Sequence, residues 1–382
     1  MKKIDSVRLL TMLISPIDED LERLQDRVAK LSSSDWEEII KIANVEGVIP
    51  LLHISLQRKD LKRFVEDEEL LGYIEAFYLL NEKRNLEILE QLEEMNQLFK
   101  EIDLTPIYLK GAAALSEKHY QTIGERLMTD IDIAVDYDRV MEGVSVLKDA
   151  GYKELFPEHE LLKEWHHYKR LYRDDVAASL ELHRTILKMD SLQYFPKDED
   201  IYEKSSVYKD VLVISPTYEL FYSFLHTQIS HQYHYYYYLS IRHLQHFCVI
   251  AKKYQVDFEL LEDLAKQHKI EDKWYAYLLM QNYFFGLEID EKIKENIEAK
   301  SYLQKIVAKI EGDKSFITKI KVFIRKSIYA LSYVNIRKFY QFESRWMLLY
   351  YVPRRIISLL FSYMKSTKKR KKLYESIDHL SS

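Results

Sequence analysis

Two acidic residues separated by one position, Asp130 and Asp132, lie inside an otherwise apolar stretch, DIDIAV at 130–135. Successive side chains of a β-strand point to opposite faces, so a strand here would place both carboxylates on the same face. Two carboxylates held close together on a buried strand repel each other and lose their hydration. A divalent cation is the usual group that offsets this cost. The pair therefore predicts a metal site.

A third carboxylate would complete such a site. Residues 179–183 read SLELH, an alternating strand in which Glu181 can lie beside the aspartates. Three carboxylates suffice to hold two Mg²⁺ ions about 3.5–4 Å apart on a phosphate group, with Mn²⁺ as the alternative ion. The ordinary alternative for Glu181 is a surface strand residue. For His183 we favour a packed, hydrogen-bonded histidine over a catalytic base.

The turn at Lys110, Gly111 and Ala112 follows a short apolar strand and precedes a helical pattern. Backbone N–H groups in such a turn favour phosphate oxygens. Lys110 and Arg126 would add positive charge opposite a phosphate chain, although a salt bridge with Asp130 or Asp132 is the ordinary alternative for each. Together with the predicted metal ligands, this turn indicates metal-dependent phosphate chemistry.

Three segments resemble the motifs of a known family. LKGAAAL at 109–115, GERLMTDIDIAV at 124–135 and LELHR at 180–184 are similar to the motifs LKG, RxMxDxDxxV and LHW. These motifs are typical of an uncharacterised bacterial nucleotidyltransferase family within the DNA polymerase β-like nucleotidyltransferase superfamily, and the resemblance extends over about residues 30–280.

The resemblance implies a catalytic metal site formed by Asp130, Asp132 and Glu181, with the Lys110–Gly111 turn facing the triphosphate of an NTP donor. The implied reaction moves a nucleoside monophosphate to an acceptor hydroxyl or phosphate and releases pyrophosphate. The sequence departs from the pattern at three positions without losing a metal ligand. Ala112 replaces a second Gly or Ser, Arg184 stands where the family often has Trp, and His246 replaces an acid.

The hydrophobic patterns predict an α+β fold, with a small mixed β-sheet nucleotidyltransferase core embedded in a mainly helical chain. Only 8 Gly and 7 Pro residues favour long helices over a loop-rich architecture. The predicted elements of the core are strands at 105–110, 130–135 and 152–155, a hairpin of 167–173 with 177–186, and helices at 112–120 and 139–150. The predicted divisions are an N-terminal helical region (1–100), the α/β core (101–214), a helical acceptor-side domain (215–312) and a basic, aromatic C-terminal region (313–382).

Composition indicates the setting of the protein. The single cysteine, Cys248, excludes an intramolecular disulfide framework and is typical of a reducing compartment. No apolar run reaches the ~20 residues of a membrane span, and Asp5 and Arg8 interrupt the N-terminal apolar patch, so a signal peptide is not expected. We therefore predict a cytoplasmic protein without a transmembrane segment.

Charge is concentrated near the C-terminus. Residues 314–372 contain 16 Lys or Arg and one acid, a charge of +15, whereas the whole chain carries −5, which leaves −20 for the remainder. Three interpretations stay open: peripheral membrane binding, contact with a nucleic-acid backbone, and packing against the acidic remainder.

A histidine- and tyrosine-rich run occupies 231–238, with His226, His243 and His246 nearby. We favour an aromatic helical face that lines the acceptor pocket over a second metal site. The sequence does not identify the acceptor: a small molecule, a saccharide, an RNA and a protein hydroxyl all remain open. The alternative to an active enzyme is a catalytically degenerate nucleotide-binding protein, or a toxin–antitoxin component, acting through the basic C-terminal region.

Overall fold

The computed structural model describes residues 1–17, 20–155, 166–197, 199–208 and 210–312, and these residues belong to one compact unit. The basic C-terminal region predicted for 313–382 lies outside the described residues. The finer division of the chain at residues 100 and 214 stays a sequence-based proposal.

Most of the described residues are helical. The helices are α1 (Lys3–Ile14), α2 (Leu21–Val28), α3 (Ser33–Glu46), α4 (Ile49–Arg58), α5 (Glu68–Glu101), α6 (Lys110–Ser116), α7 (Val140–Asp149), α8 (Met189–Leu192), α9 (Pro216–Phe224), α10 (Tyr233–Tyr236), α11 (Ile241–Lys253), α12 (Phe258–Gln267), α13 (Glu271–Phe285), α14 (Glu291–Glu295) and α15 (Ile297–Ile310). Short 3₁₀ turns occur at Lys62–Phe64 and Glu199–Ile201, and a π-helix at Leu225–Ser230. None of these helices is long and apolar enough to cross a membrane.

Seven strands form one mixed sheet. They are β1 (Ile107–Leu109), β2 (Asp130–Ala134), β3 (Lys153–Glu154), β4 (Leu171–Tyr172), β5 (Ser179–His183), β6 (Tyr202–Lys204) and β7 (Leu212–Ile214), in the spatial order β3-β4-β5-β2-β1-β7-β6. The central strand β2 runs parallel to β5 and antiparallel to β1. The α+β fold class is thereby confirmed, with the sheet set among helices.

Helix α5 is the longest element and supports the sheet. Asp67 caps its N-terminus by accepting a hydrogen bond from the Leu70 N–H at 2.9 Å, and acids occupy the first turn, where the helix dipole favours them. Buried residues recur along one side of the helix at spacings of three and four, among them Ile74, Ile88 and Phe99. The later part of that side, including Ile88 and Phe99, packs into the same apolar cluster as β1, β2, β5 and α7.

A second apolar cluster joins the N-terminal helices to the helices that follow β7. Its largest fully buried side chains include Trp274, Phe221, Phe224 and Phe247, whose rings pack together with centroids 5.1–6.1 Å apart. Aromatic packing of this kind fixes α9, α11 and α13 relative to one another. The π-helix continues directly from α9. The packing that fixes α9 against α11 therefore also sets the position of the π-helix relative to α11.

Candidate active site

The sheet brings the three predicted acids together. In the register of β2 against β5, Asp132 lies opposite Glu181 and Asp130 opposite Ser179. Residues two apart on a strand share a face, so Asp130, Asp132 and Glu181 all point to the same side of the sheet. The alternation of apolar and acidic residues in DIDIA is what places the isoleucines in the core and the acids at the site.

Two basic side chains form ion pairs with these acids. The Lys110 ammonium contacts Asp132 Oδ1 at 2.7 Å, and the Arg170 guanidinium joins Asp130 Oδ2 at 2.8 Å to Glu181 Oε1 at 2.5 Å. These pairs set two cations against three carboxylates, which leaves one negative charge at the cluster. The remaining negative charge would attract a bound cation.

Asp132 is the most constrained of the three acids. Burial would raise the pKa of this carboxyl, but the Lys110 ammonium and the hydrogen bond from His183 Nε2 at 2.9 Å hold the pKa well below its usual range. The pKa of Glu181 is also lowered. Burial alone would raise this pKa, but the neighbouring His167 and Arg170 lower it by more. Both groups are therefore carboxylates at neutral pH and can ligate a metal ion.

One group of described residues has the geometry of a metal-binding set. Ligand atoms of Asp132, Glu181 and His183 all lie within 4.8 Å of one another. The imidazole of His183 is 2% exposed, and its Nδ1 atom is buried without a hydrogen-bond partner among the described residues. Two carboxylate donors and one imidazole nitrogen fit a divalent ion.

The Lys110–Gly111 turn lies at the edge of the same site. Lys110 has a left-handed backbone conformation, with φ of 51°, as the chain passes from β1 into α6. A Cβ atom on Gly111 would approach Met128 Cε at 2.9 Å, so a larger residue here would require the Met128 side chain to shift. Ala112 is fully buried behind the turn.

The carboxylates and the turn open into a cavity of about 430 Å³. The sequence-predicted residues that line the cavity are Lys110, Gly111, Arg126, Asp130, Asp132 and Glu181. Ala112 is not among the lining residues, so its side chain does not reach the cavity.

Arg126 is held by helix α5. The side-chain amide of Asn81 donates to the carbonyl groups of Gly124 and Arg126, and the amide of Asn85 donates to those of Ile123 and Arg126, at 2.7–3.0 Å. The guanidinium of Arg126 donates to Tyr120 Oη at 3.3 Å, while its buried Nε has no partner among the described residues. Arg126 therefore lines the cavity with at least one N–H group that makes no hydrogen bond to the described residues.

Other groups at the site were not predicted from the sequence. A second guanidinium, that of Arg242 near the start of α11, lines the cavity; burial, and then the neighbouring Arg126, lower its pKa. Two guanidinium groups close enough to repel each other favour an anion between them. The remaining charged or titratable lining residues that sequence reasoning missed are His166, His167, Arg170 and Lys188.

The histidine- and tyrosine-rich run at 231–238 contributes one residue, His231, to the lining of the cavity, and its tyrosines are not among the lining residues. The π-helix places His226 and Ser230 on the cavity, and His226 Nε2 lies 3.1 Å from His231 Nε2. His243 is engaged elsewhere, with Nδ1 2.8 Å from Ser240 Oγ. Within the described part of the chain the Asp132 group is the set of three or more ligands with metal-binding geometry, so these histidines do not form a second such set.

The position where the family acid is replaced, His246, belongs to a buried polar network. His246 Nε2 lies 3.0 Å from Glu219 Oε1, and the other oxygen of Glu219 lies 3.2 Å from His119 Nε2. His246 Nδ1 lies 3.2 Å from Tyr120 Oη, the group that also accepts from Arg126. The histidine therefore links the cavity arginine to a carboxylate supplied by α9.

The fold and the site define an α+β protein whose sheet carries a carboxylate cluster at the edge of a basic cavity. A family model described as uncharacterised nucleotidyltransferase matches residues 32–286. Because the match covers more than half of the 382 residues, the chain belongs to this nucleotidyltransferase family. No curated protein and no solved structure matches the chain. Membership confirms the resemblance read from the three motifs and supports nucleotidyl transfer as the general activity.

Proposed function

We propose that the protein transfers a nucleoside monophosphate from an NTP to an acceptor hydroxyl or phosphate. In this reaction the acceptor oxygen forms a bond to the α-phosphorus, the bond from that phosphorus to the β-phosphate oxygen breaks, pyrophosphate leaves, and any hydroxyl proton passes to solvent. The observation that carries the proposal is the cluster of Asp130, Asp132 and Glu181 on two adjacent strands, in one cavity with several basic side chains.

We assign the metal-ligand role to Asp130, Asp132 and Glu181, with Mg²⁺ or Mn²⁺ as the ion and two ions as the expected number. Bound divalent ions would supply the Lewis acidity that activates the acceptor oxygen and stabilises the charge on the departing pyrophosphate. Two of the carboxylates are supported in this role by their lowered pKa values, which keep them ionised at neutral pH.

The phosphate-binding role is assigned to Lys110, Gly111 and Ala112 at the turn and to Arg126, to which Arg242 is added. The cavity position of both guanidinium groups supports this assignment, because planar guanidinium groups bind phosphate oxygens through paired hydrogen bonds. When Asp132 binds a metal ion, the Lys110 ammonium becomes available to a phosphate oxygen in its place. The helical region at 215–312 then forms the acceptor side, through the π-helix and α11.

The experiment is a transfer assay with each of the four α-³²P-labelled NTPs, purified protein, a divalent cation and extract of the host cells. We expect label from one or more NTPs in a product that requires the cation, and we expect γ-labelled NTP to leave that product unlabelled. The Asp132→Asn variant should reduce transfer by at least about 100-fold, because it removes a charged ligand from the reacting centre. Full activity of this variant would contradict the site assignment.

Asp138→Asn is the matched control. Asp138 is exposed, lies six residues further along the chain and is outside the residues that line the cavity, so this variant should keep wild-type activity. Equal thermal unfolding temperatures for the two variants would show that the loss in Asp132→Asn is chemical.

One observation favours a second candidate, a nucleotide-binding protein without transfer activity. Lys110 and Arg170 already neutralise most of the carboxylate charge, and Ala112 follows the glycine of the turn. Such a protein would bind NTPs equally well with or without a divalent cation and would produce no labelled product in the same assay.

A further inference from the structure

The metal-binding geometry includes a nitrogen atom. His183 lies on β5 two residues after Glu181, on the same face of the sheet, and pairs in register with Ala134 of β2. Its Nε2 atom is 2.9 Å from Asp132 Oδ1 and 3.9 Å from Glu181 Oε2. The imidazole nitrogen therefore lies within 4 Å of both carboxylates.

The hydrogen bonding of His183 is incomplete at one ring nitrogen. Buried polar side chains almost always find partners for their polar atoms, and each exception requires an explanation. His183 is 2% exposed, yet its Nδ1 atom has no hydrogen-bond partner among the described residues. The Nε2–H group donates to Asp132 Oδ1. Because no partner fixes Nδ1, the proton can pass to that atom and leave the Nε2 lone pair directed at the cluster.

We infer that His183 is a metal ligand beside Asp132 and Glu181, and that this site of carboxylate oxygen and imidazole nitrogen atoms favours Mn²⁺ over Mg²⁺. The inference rests on the proposed metal-dependent function. Mg²⁺ demands an octahedral shell of oxygen atoms, many of them from water, whereas first-row transition ions accept imidazole nitrogen. The imidazole nitrogen therefore favours a first-row transition ion over Mg²⁺. This assignment goes beyond the three carboxylates that the motif supplies.

A neighbouring histidine provides the matched control. His167 Nε2 lies 3.9 Å from Glu181 Oε2, a distance equal to that of His183, but His167 lies outside the group of mutually close ligand atoms. Its Nδ1 atom is already 2.7 Å from the Tyr168 carbonyl oxygen. His167→Gln should therefore leave the first coordination shell intact, whereas His183→Gln should remove a ligand.

The test is pulsed electron paramagnetic resonance of the Mn²⁺-loaded full chain, with and without a non-hydrolysable NTP, after labelling the histidines with ¹⁵N. We expect a hyperfine coupling from one directly bound histidine nitrogen in the wild type and in His167→Gln, and its loss in His183→Gln. Mn²⁺ affinity should fall about tenfold or more in His183→Gln, while Mg²⁺ affinity changes little. Wild-type protein should bind Mn²⁺ more tightly than Mg²⁺.

Four results would overturn the inference. Bound Mn²⁺ without a histidine coupling in the wild type, or a coupling lost in His167→Gln instead, would exclude His183 as the ligand while the proposed function stands. Tighter binding of Mg²⁺ than Mn²⁺ would reject the ion preference. Absence of binding by either ion in the presence of every NTP would contradict both the inference and the proposed function. The wild-type measurements do not depend on the folding of any variant.

Discussion

At the scale of single residues, Arg170 occupies the space between two of the proposed metal ligands. Its guanidinium contacts Asp130 and Glu181 at once, so it stabilises the carboxylates when no ion is bound. A metal ion that binds both carboxylates must compete with this contact. Arg170 therefore acts as an internal counterion whose strength sets the affinity for the metal.

We predict that Arg170→Gln binds Mn²⁺ about 10-fold more tightly than the wild type, because a charge-assisted contact of about 1.5–3 kcal/mol no longer opposes the ion. In the absence of metal the same variant should unfold at a lower temperature. Calorimetric titration with Mn²⁺ and thermal unfolding with a chelator measure the two effects.

Arg173→Gln is the control for this prediction. Arg173 pairs with Glu94 and Asp175, outside the residues that line the cavity, so its loss should leave Mn²⁺ affinity unchanged. Unchanged or weaker Mn²⁺ binding by Arg170→Gln would contradict the counterion role.

The acids of the site and Lys110 are readable from the sequence, whereas Arg170 and Arg242 are not. Asp130, Asp132 and Glu181 lie on strands with a two-residue period, which fixes their face once the strands are recognised. Arg242 comes from α11, more than 100 residues after β2, and reaches the cavity through the packing of helices. Its sequence neighbourhood is that of any surface arginine at the start of a helix, so no local signal distinguishes it.

At the scale of elements, helix α5 positions the segment before β2. Its asparagine amides bind the carbonyl groups of residues 123–126, and Arg84 donates to the carbonyl groups of Met128 and Ala177 at the entrances of β2 and β5. The helix thus aligns both acid-bearing strands from one side. Gly124 permits the close approach, since a Cβ atom there would lie 2.5 Å from Tyr78 Cε2.

We predict opposite effects for two glycine substitutions, one at this interface and one at an exposed position of α5. Gly124→Ala should destabilise the protein by about 1–3 kcal/mol, because the new methyl group overlaps the Tyr78 ring and Glu82. Gly72→Ala, within α5 and with no atom within 4 Å of the new Cβ, should stabilise it by about 0.5–1 kcal/mol through helix propensity. Urea unfolding of both variants measures the difference. A Gly124→Ala variant as stable as Gly72→Ala would show that the segment is not held against α5.

The elements with strong periodic signals were predicted closely. The strand predicted at 130–135 is observed at Asp130–Ala134, and the helix predicted at 139–150 at Val140–Asp149. Strands β6 and β7 were not predicted, because each has only three residues and β6 contains two charged ones. Their place in the sheet depends on the parallel pairing of β7 with β1, a contact across about 100 residues that no local pattern encodes.

At the scale of the whole molecule, partly and fully buried neutral histidines tie stability to pH. Burial lowers the pKa of His234 to about 4, that of His246 to about 4 and that of His166 to about 2. In the unfolded chain each would titrate near the ordinary value of about 6.5. Between these values the unfolded state binds more protons than the folded state, so stability is full above pH about 6.5 and falls as the pH decreases.

We predict a lower free energy of unfolding at pH 5.5 than at pH 7.5, by roughly 1 kcal/mol for each of these histidines. The carboxylates with lowered pKa values, such as Asp132, lose their contribution only below about pH 4 and do not affect this comparison. Urea unfolding at the two pH values measures the change, and His234→Gln should make it smaller. Equal or greater stability at pH 5.5 would contradict the burial of neutral imidazoles.

The central claim is that the carboxylate cluster and the basic cavity form one metal-dependent NTP site. Calorimetric titration of the full chain with α,β-methylene analogues of the four NTPs, in the presence of Mn²⁺, Mg²⁺ or a chelator, tests it most directly. We predict that at least one analogue binds with a divalent cation, that the chelator abolishes binding, and that Asp132→Asn does the same. Failure of all four analogues to bind, or equal binding in the chelator, would contradict the claim.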